Sequence, residues 1–324
     1  MILLPASKAG VQDDRGRFRE IFCRVLDVRA DSLPDHRSCD EALTVVGQEP
    51  PGTGVSVALA GARSQWLLGI VPGLGWSCFA HWLDLNNSVP RHIEQFGYQA
   101  ELVPVGALAS TADNARDIRD WVLRLPPEQA ARKLVLIGYS KGAPDILQAL
   151  VTYPELVERV SAVVSIAGAI GGSPLANNAE QSRANLLTHI PGAECEEVID
   201  RGAVDDLRSV VRQQWLAENS LSESLRYYSI VTYPDPTRIS AGLKGSYRKI
   251  SKVDARNDSQ MIFYDQIIPG SSLLAYLNAD HWAVAVPIAR SHELIGSTFV
   301  NKNEYPREAL IEALMRYLDE ALPE

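Results

Sequence analysis

The stretch Lys133-Leu-Val-Leu-Ile-Gly-Tyr-Ser-Lys-Gly142 decides the fold of this 324-residue chain. Its first five residues have the length of a strand, with Leu134–Ile137 all apolar, and the residues from Ala143 to Val151 have helical spacing. A strand that passes into a helix through Gly-x-Ser-x-Gly predicts a sharp turn, with Ser140 in a strained backbone conformation. Gly138 and Gly142 would allow the strand and the helix to pass closely, because glycine has no Cβ.

From about residue 51 onward, apolar runs of strand length alternate with helical stretches. The predicted strands are Gly54–Ala60, Trp66–Val71, Ala100–Val105, Lys133–Ile137, Val160–Ala167, Leu225–Thr232 and Ser272–Leu277. The predicted helices among them are Ala80–Phe96, Ala112–Leu125, Pro144–Thr152 and Arg307–Ala321. Several of the strands are apolar on both faces, which is typical of parallel strands covered by helices on each side. The pattern predicts one α/β domain with a mostly parallel, doubly wound sheet.

Two segments lie outside this alternation. Residues 1–50 are charged and weakly periodic, and we interpret them as an N-terminal extension with one helix around Arg17–Val28, so that the domain spans 51–324. Residues 174–222 contain a helical stretch, Ala203–Leu216, but no obvious strand. An insertion at this point would lie above the carboxyl ends of the strands, where α/β sheets bind ligands. We therefore expect a helical lid, with a plain helical surface insertion as the alternative.

The composition excludes several classes of partner. The formal net charge of -9 argues against binding to nucleic acid or to an anionic membrane surface. No segment reaches the roughly 18 apolar residues of a membrane span, and the N-terminal apolar run is too short for a signal peptide. The expectation is a cytoplasmic protein, or an exported one whose targeting segment has been removed.

The four cysteines show no spacing typical of a zinc site, and we predict no metal and no cofactor. Cys23 and Cys39 flank a short polar stretch. They would form a small disulfide loop in an exported protein, and they would otherwise be free and buried.

A serine hydroxyl is a poor nucleophile and needs a base within hydrogen-bond reach, which in turn needs an acid to orient it. Three of the six histidines follow Ser140 in the chain, namely His189, His281 and His292. His281 comes directly after the strand Ser272–Leu277 and a short turn, which places it at the carboxyl edge of the sheet. We predict His281 as the base.

The residues alone leave the acid open. The candidates between the last strands are Asp235, Asp254, Asp258, Asp265 and Asp280. Asp280 is disfavoured because it adjoins His281, and consecutive side chains diverge.

An oxyanion hole requires two backbone N–H donors. We predict one from Lys141, which follows the nucleophile, and one from Leu74 in the loop Pro72-Gly73-Leu74-Gly75 after an early strand; a plain Gly-rich turn is the alternative for this loop. A Ser–Lys dyad is disfavoured, because the residue after the nucleophile in such a turn points toward the helix.

These motifs resemble the bacterial lipase and esterase branch of the α/β-hydrolase family over roughly residues 64–290. The matching segments are Pro72-Gly73-Leu74-Gly75, Gly138–Gly142, Ser165–Pro174, Arg226–Ser229, Asn257-Asp258-Ser259-Gln260-Met261 and Asn278-Ala279-Asp280-His281. The resemblance implies an α/β-hydrolase fold with Asp258 as the acid and Asp265 as the second candidate. Ser259 departs from the family, which has glycine there. Trp282–Ala285 stands where the family has a calcium-binding acidic residue, so calcium is not expected.

The expected function is hydrolysis of a small-molecule or lipid-like carboxylic ester through Ser140, His281 and Asp258, with an acyl-enzyme intermediate. A thioesterase, an acyltransferase or a polyester depolymerase would use the same triad. A binding protein without catalytic activity on the same scaffold is the alternative from a different class.

Overall fold

The fold is built on one seven-stranded sheet in which every neighbouring pair of strands is parallel. The computed structural model describes residues 10–62, 65–77, 88–178 and 201–322. The strands, in the order β1-β7-β6-β5-β4-β2-β3, are β1 (Gln12–Asp13), β2 (Trp66–Val71), β3 (Gln99–Leu102), β4 (Lys133–Tyr139), β5 (Val160–Ile166), β6 (Arg226–Thr232) and β7 (Ser272–Leu277). The predicted parallel sheet is confirmed.

Helices cover both faces of this sheet. Those in the described ranges are α1 (Arg15–Arg29), α2 (Cys39–Ala42), α3 (Val89–Glu94), α4 (Thr111–Leu123), α5 (Pro127–Ala130), α6 (Gly142–Thr152), α7 (Arg201–Asp205), α8 (Ser209–Glu218), α9 (Lys244–Ile250), α10 (Ile288–Ser291), α11 (Glu293–Thr298) and α12 (Arg307–Ala321). Of the predicted helix Ala80–Phe96, residues 80–87 lie outside the described residues.

Alternate side chains of the central strands pack into two separate hydrophobic cores, one on each face of the sheet. Along β4, Leu134 and Leu136 pack with α4 and α6 on one face, whereas Val135 and Ile137 pack with α1, α3 and α12 on the other. The period of two in a strand produces this division. Both faces are apolar, and this is why the strands appear in the sequence as unbroken hydrophobic runs.

The described part of the N-terminal segment packs against this sheet. β1 pairs with β7, and Phe18, Ile21 and Phe22 of α1 are fully buried beside α12. A hydrogen bond of 2.7 Å from the Tyr317 hydroxyl to the Asp14 carboxylate joins the two ends of the described chain. Residues 10–50 thus contribute a strand and a core helix to the same domain.

The predicted strand Gly54–Ala60 is wrong. This segment has no regular structure, and its carbonyl groups accept from helix side chains instead of from a strand. Arg17 of α1 donates to the Val55 carbonyl at 2.7 Å, and Arg316 of α12 donates to the Leu59 carbonyl at 3.3 Å. Arginine side chains satisfy the backbone that a neighbouring strand would otherwise have paired.

A disulfide joins Cys23 of α1 to Cys39 of α2. The sequence left this pair open between a disulfide and two free thiols. Cys78 and Cys195 lie outside the described residues.

The described parts of the predicted insertion, 174–178 and 201–222, contain α7 and α8 and no strand. They are tied to the domain by the Thr111 N–H, which donates to the Asp206 carboxylate at 2.7 Å, and by the Ser173 N–H, which donates to the Leu207 carbonyl at 2.8 Å. Residues 179–200 lie outside the described residues, and the lid remains a prediction. No helix in the described ranges combines the length and apolar character needed to cross a membrane.

A tight turn at residues 257–262 follows α9. Asn257 and Ile262 form an isolated antiparallel bridge, and the Asn257 side chain accepts from the Ser259 N–H at 3.0 Å. Ser259 has a φ of +84°, is fully buried, and its hydroxyl has no hydrogen-bond partner. The position therefore has the left-handed backbone that favours glycine.

We predict that opening the disulfide destabilises the protein. Because it closes a loop with a sequence separation of 16, loop entropy predicts a loss of about 3 kcal/mol in the free energy of unfolding. Chemical denaturation with and without a reductant measures this loss. The double variant Cys23→Ser/Cys39→Ser is the control and should show the low stability under both conditions. Unchanged stability of the reduced wild type would contradict the prediction.

We predict that Ser259→Gly raises the free energy of unfolding by about 1 kcal/mol, because left-handed backbone costs a non-glycine residue roughly 1–2 kcal/mol. The comparison with Ser259→Ala separates two causes, since alanine removes the unpartnered hydroxyl but keeps the backbone strain. Equal gains for the two variants in urea denaturation would show that strain is not the cause.

Candidate active site

The predicted strand–turn–helix around Ser140 is present. β4 ends at Tyr139, α6 begins at Gly142, and Ser140 between them has a φ of +54°. A non-glycine residue persists in this conformation only where its surroundings hold it. Two hydrogen bonds do so: the Ser140 N–H donates to the Ile166 carbonyl of β5 at 3.2 Å, and the Ala169 N–H donates to the Ser140 carbonyl at 3.0 Å.

Both glycines of the turn lie where a side chain would not fit. A Cβ on Gly138 would lie 2.4 Å from the Cα of Ala143, and a Cβ on Gly142 would lie 2.1 Å from the Val71 carbonyl oxygen. Since both contacts are with backbone, no side-chain movement relieves them. The two glycines therefore allow the first turn of α6 to pack directly against the ends of β4 and β2.

The structure places His281 beside this turn. Its Nε2 lies 2.9 Å from the Ser140 hydroxyl oxygen, within hydrogen-bond distance. The Tyr139 hydroxyl donates to the His281 backbone carbonyl at 2.7 Å, and the two rings lie 5.1 Å apart. Burial raises the pKa of Tyr139 well above its ordinary value, so this phenol keeps its proton as a donor.

Of the five aspartates that the sequence left open, Asp258 is the one that contacts the imidazole. Its Oδ2 lies 2.8 Å from the His281 Nδ1. Its Oδ1 accepts from the backbone N–H groups of Gln260 at 2.8 Å and Met261 at 2.7 Å. The carboxylate is fully buried, and each of its oxygens has a donor.

The other four aspartates have different partners. Asp235 accepts from the Thr237 N–H at 2.8 Å, and Asp254 pairs with Arg256 at 2.7 Å. Asp280 accepts from the N–H groups of Trp282, Ala283 and Ser240, which fixes the turn that carries His281.

Asp265, the second candidate for the acid, faces Gly171 instead of His281. Its Oδ1 lies 2.5 Å from the position that a Cβ on Gly171 would take. Burial, and then repulsion from Asp254, raise the pKa of Asp265 to about 7.

The Lys141 side chain pairs with Asp145 and not with Ser140, the predicted nucleophile. Its Nζ lies 2.8 Å from both carboxylate oxygens of Asp145, on the first turn of α6, and both residues are fully buried. Asn114 of α4 also donates to Asp145, at 2.7 Å. Burial raises the pKa of Asp145 despite its cationic neighbour. This contact places the ammonium in a helix-packing role and not in a Ser–Lys pair.

The loop that follows β2 lies against Ser140, the predicted nucleophile. A Cβ on Gly73 would lie 2.9 Å from the Ser140 Cβ. Within the described ranges, neither the Leu74 N–H nor the Lys141 N–H donates to a protein acceptor. Both amides remain available to an oxygen of a bound substrate, which an oxyanion hole requires.

No metal ligand set appears among the described side chains, as no group of three or more His, Cys, Asp and Glu could hold an ion. The expectation of no metal stays a prediction.

Three side chains at this site carried no signal in the sequence. Tyr139 occupies the variable position before Ser140, and its hydroxyl donates to the backbone of His281. Thr232 and Gln266 lie on separate segments, and both contact Asp258. These contacts are visible only in the folded structure, where the segments that carry the three side chains come together.

No family model matches the chain, and no curated protein sequence matches it. Among solved structures, it is similar to a metagenomic carboxyl esterase, with 40% sequence identity, coverage of 99% of this chain and 96% of the other, and a TM-score of 0.91. A Bacillus licheniformis lipase in its mature form matches at 20% identity, covering 70% of this chain and 89% of the lipase, with a TM-score of 0.56. A Staphylococcus hyicus lipase matches at 13% identity, covering 82% of this chain and 98% of the lipase, with a TM-score of 0.55.

The two lipases show a shared fold only. The identity to the esterase extends over nearly the full length of both chains. This chain therefore belongs to the esterase and lipase branch of the α/β-hydrolase family.

Proposed function

We propose that the protein hydrolyses carboxylic esters by acyl transfer, with Ser140 as nucleophile, His281 as general base and Asp258 as the acid that orients it. The observation that carries this proposal is the continuous hydrogen-bonded path from the Ser140 hydroxyl to His281, at 2.9 Å, and on to Asp258, at 2.8 Å. Serine hydrolases of unrelated folds share this arrangement, because a hydroxyl needs both partners.

In the first half of the reaction, His281 Nε2 takes the proton of Ser140 as the hydroxyl oxygen bonds to the ester carbonyl carbon. The Leu74 and Lys141 N–H groups stabilise the oxyanion that forms. The imidazolium then gives its proton to the departing alkoxide as the carbon–oxygen bond breaks, and an alcohol leaves.

In the second half, water attacks the acyl-enzyme and His281 takes one of its protons. The second tetrahedral intermediate collapses, Ser140 regains its proton from His281, and the carboxylic acid is released. No step requires a metal or a cofactor.

An apolar cluster beside the site supports binding of the acyl chain there. It joins Leu74 of the proposed oxyanion loop, Ala169 of the loop after β5 and Met261 beside Asp258 with three residues of the predicted insertion, Ala176, Val204 and Leu207. Because three of its members fall within 174–222, we propose that the insertion helps to select the acyl group.

We predict that a fluorophosphonate probe labels the wild type at Ser140 and that Ser140→Ala abolishes both labelling and ester hydrolysis. The reason is that the variant lacks the attacking oxygen while the rest of the site is retained. Intact-protein mass spectrometry and a p-nitrophenyl ester panel from acetyl to palmitoyl give the two readouts.

Labelling that survives in Ser140→Ala would reject Ser140 as the nucleophile. A labelled wild type that is inactive on every ester of the panel would favour a thioesterase or an acyltransferase. The absence of labelling in the wild type would favour a binding protein.

We predict that Leu207→Ala shifts the preference toward longer acyl chains, because it removes bulk from the apolar cluster. The ratio of kcat/KM for octanoyl to butyryl ester should rise by about tenfold, the order of a small change in an apolar pocket. A ratio measured on one preparation does not depend on how much of the variant is folded. Val210→Ala, at an α8 position that is 59% exposed, is the matched control and should leave the ratio unchanged. Equal ratios in all three proteins would exclude the cluster from acyl selection.

A further inference from the structure

We propose that Thr232 and Gln266 are positioning residues that hold the Asp258 carboxylate against His281. The inference rests on the proposed function, because it assigns a role in the same triad. Neither residue contacts Ser140, and both act on the reaction only through Asp258.

The position of the acid along the chain explains the need for such residues. Asp258 lies 26 positions after Thr232, the last residue of β6, and α9 lies between them. Chain continuity with the sheet therefore cannot fix the carboxylate. The Thr232 hydroxyl restores the connection by donating to Asp258 Oδ2 across this separation.

The side-chain amide of Gln266 forms two hydrogen bonds with the backbone of Thr232, at the end of β6. The Thr232 N–H donates to Gln266 Oε1 at 2.8 Å, and Gln266 Nε2 donates to the Thr232 carbonyl at 3.0 Å. Since a backbone N–H only donates and a carbonyl only accepts, the strand itself determines which end of the amide is nitrogen. The second N–H of that nitrogen is thereby aimed at Asp258 Oδ2, which it approaches to 3.3 Å.

Three donors thus converge on one carboxylate oxygen: the Thr232 hydroxyl, the Gln266 amide and the His281 imidazole. All four side chains lie in the interior, with Asp258, Gln266 and Thr232 fully buried and His281 4% exposed. Hydrogen bonds to a buried charged group are strong and directional. The two neutral donors fix the carboxylate in the orientation that the imidazole requires, and they share its negative charge.

Holding the carboxylate has a consequence for the proposed base. When Thr232 or Gln266 no longer donates, fewer contacts keep Asp258 in this orientation. His281 is then less firmly oriented toward Ser140, which costs more in the transition state than in substrate binding.

We predict that Thr232→Val, which keeps the shape of the side chain and removes its hydroxyl, lowers kcat by about tenfold to a hundredfold with KM nearly unchanged. Thr232→Ser retains the hydroxyl and should restore most of kcat. The p-nitrophenyl butyrate assay gives kcat and KM of each protein.

Gln266→Glu is the second variant, used if Thr232→Val does not fold by circular dichroism. It preserves size, replaces the amide that donates to Asp258 with a second carboxyl group, and should also lower kcat with KM nearly unchanged. Fluorophosphonate labelling at Ser140 tests the proposed triad separately from the positioning role. An unlabelled wild type overturns the triad. A labelled wild type whose labelling rate and kcat match those of Thr232→Val overturns the positioning role. Thr232→Ser as impaired as Thr232→Val also overturns it.

Discussion

The turn at Ser140 constrains the rest of the molecule. A positive φ is intrinsically unfavourable for serine, so the backbone of Ser140 depends on hydrogen bonds to β5 and to the loop that follows β5. Gly142 in turn lies against the end of β2, where any side chain would collide with backbone. Three adjacent parallel strands must therefore end in register for one residue to keep its conformation. The sheet holds the turn, and the turn fixes the spacing of β2, β4 and β5.

Much of this core could be predicted from the sequence, because its signals are local. Four consecutive apolar residues, two glycines and a helical period all lie within twenty positions around Ser140. β1 could not be predicted, since two residues carry no period. The segment 54–60 showed a strand pattern, yet its carbonyl groups are satisfied by arginine side chains of α1 and α12. Propensity cannot distinguish these partners from a neighbouring strand.

The site divides in the same way. The position of His281 beside Ser140 could be predicted from its place after a strand, whereas the choice of Asp258 as its partner among five aspartates needed the family resemblance. Lys141 illustrates a different limit: its sequence position suggests the role of its backbone N–H, but nothing local indicates that its side chain pairs with Asp145 four residues later in a buried site. Such contacts depend on helix packing around α6, which includes Asn114 from α4.

The distance along the chain between β6 and Asp258, the proposed acid, has a consequence for how this fold can diverge. Asp258 takes its place from the end of a strand through side chains, and from its own turn through backbone N–H groups. The length of the intervening segment is therefore uncoupled from the geometry of the carboxylate. Descendants of this chain can gain or lose secondary structure between residues 241 and 250 while Asp258 stays in place and Ser240 still holds the turn that carries His281. A new surface could be acquired in that stretch beside an unaltered proposed triad.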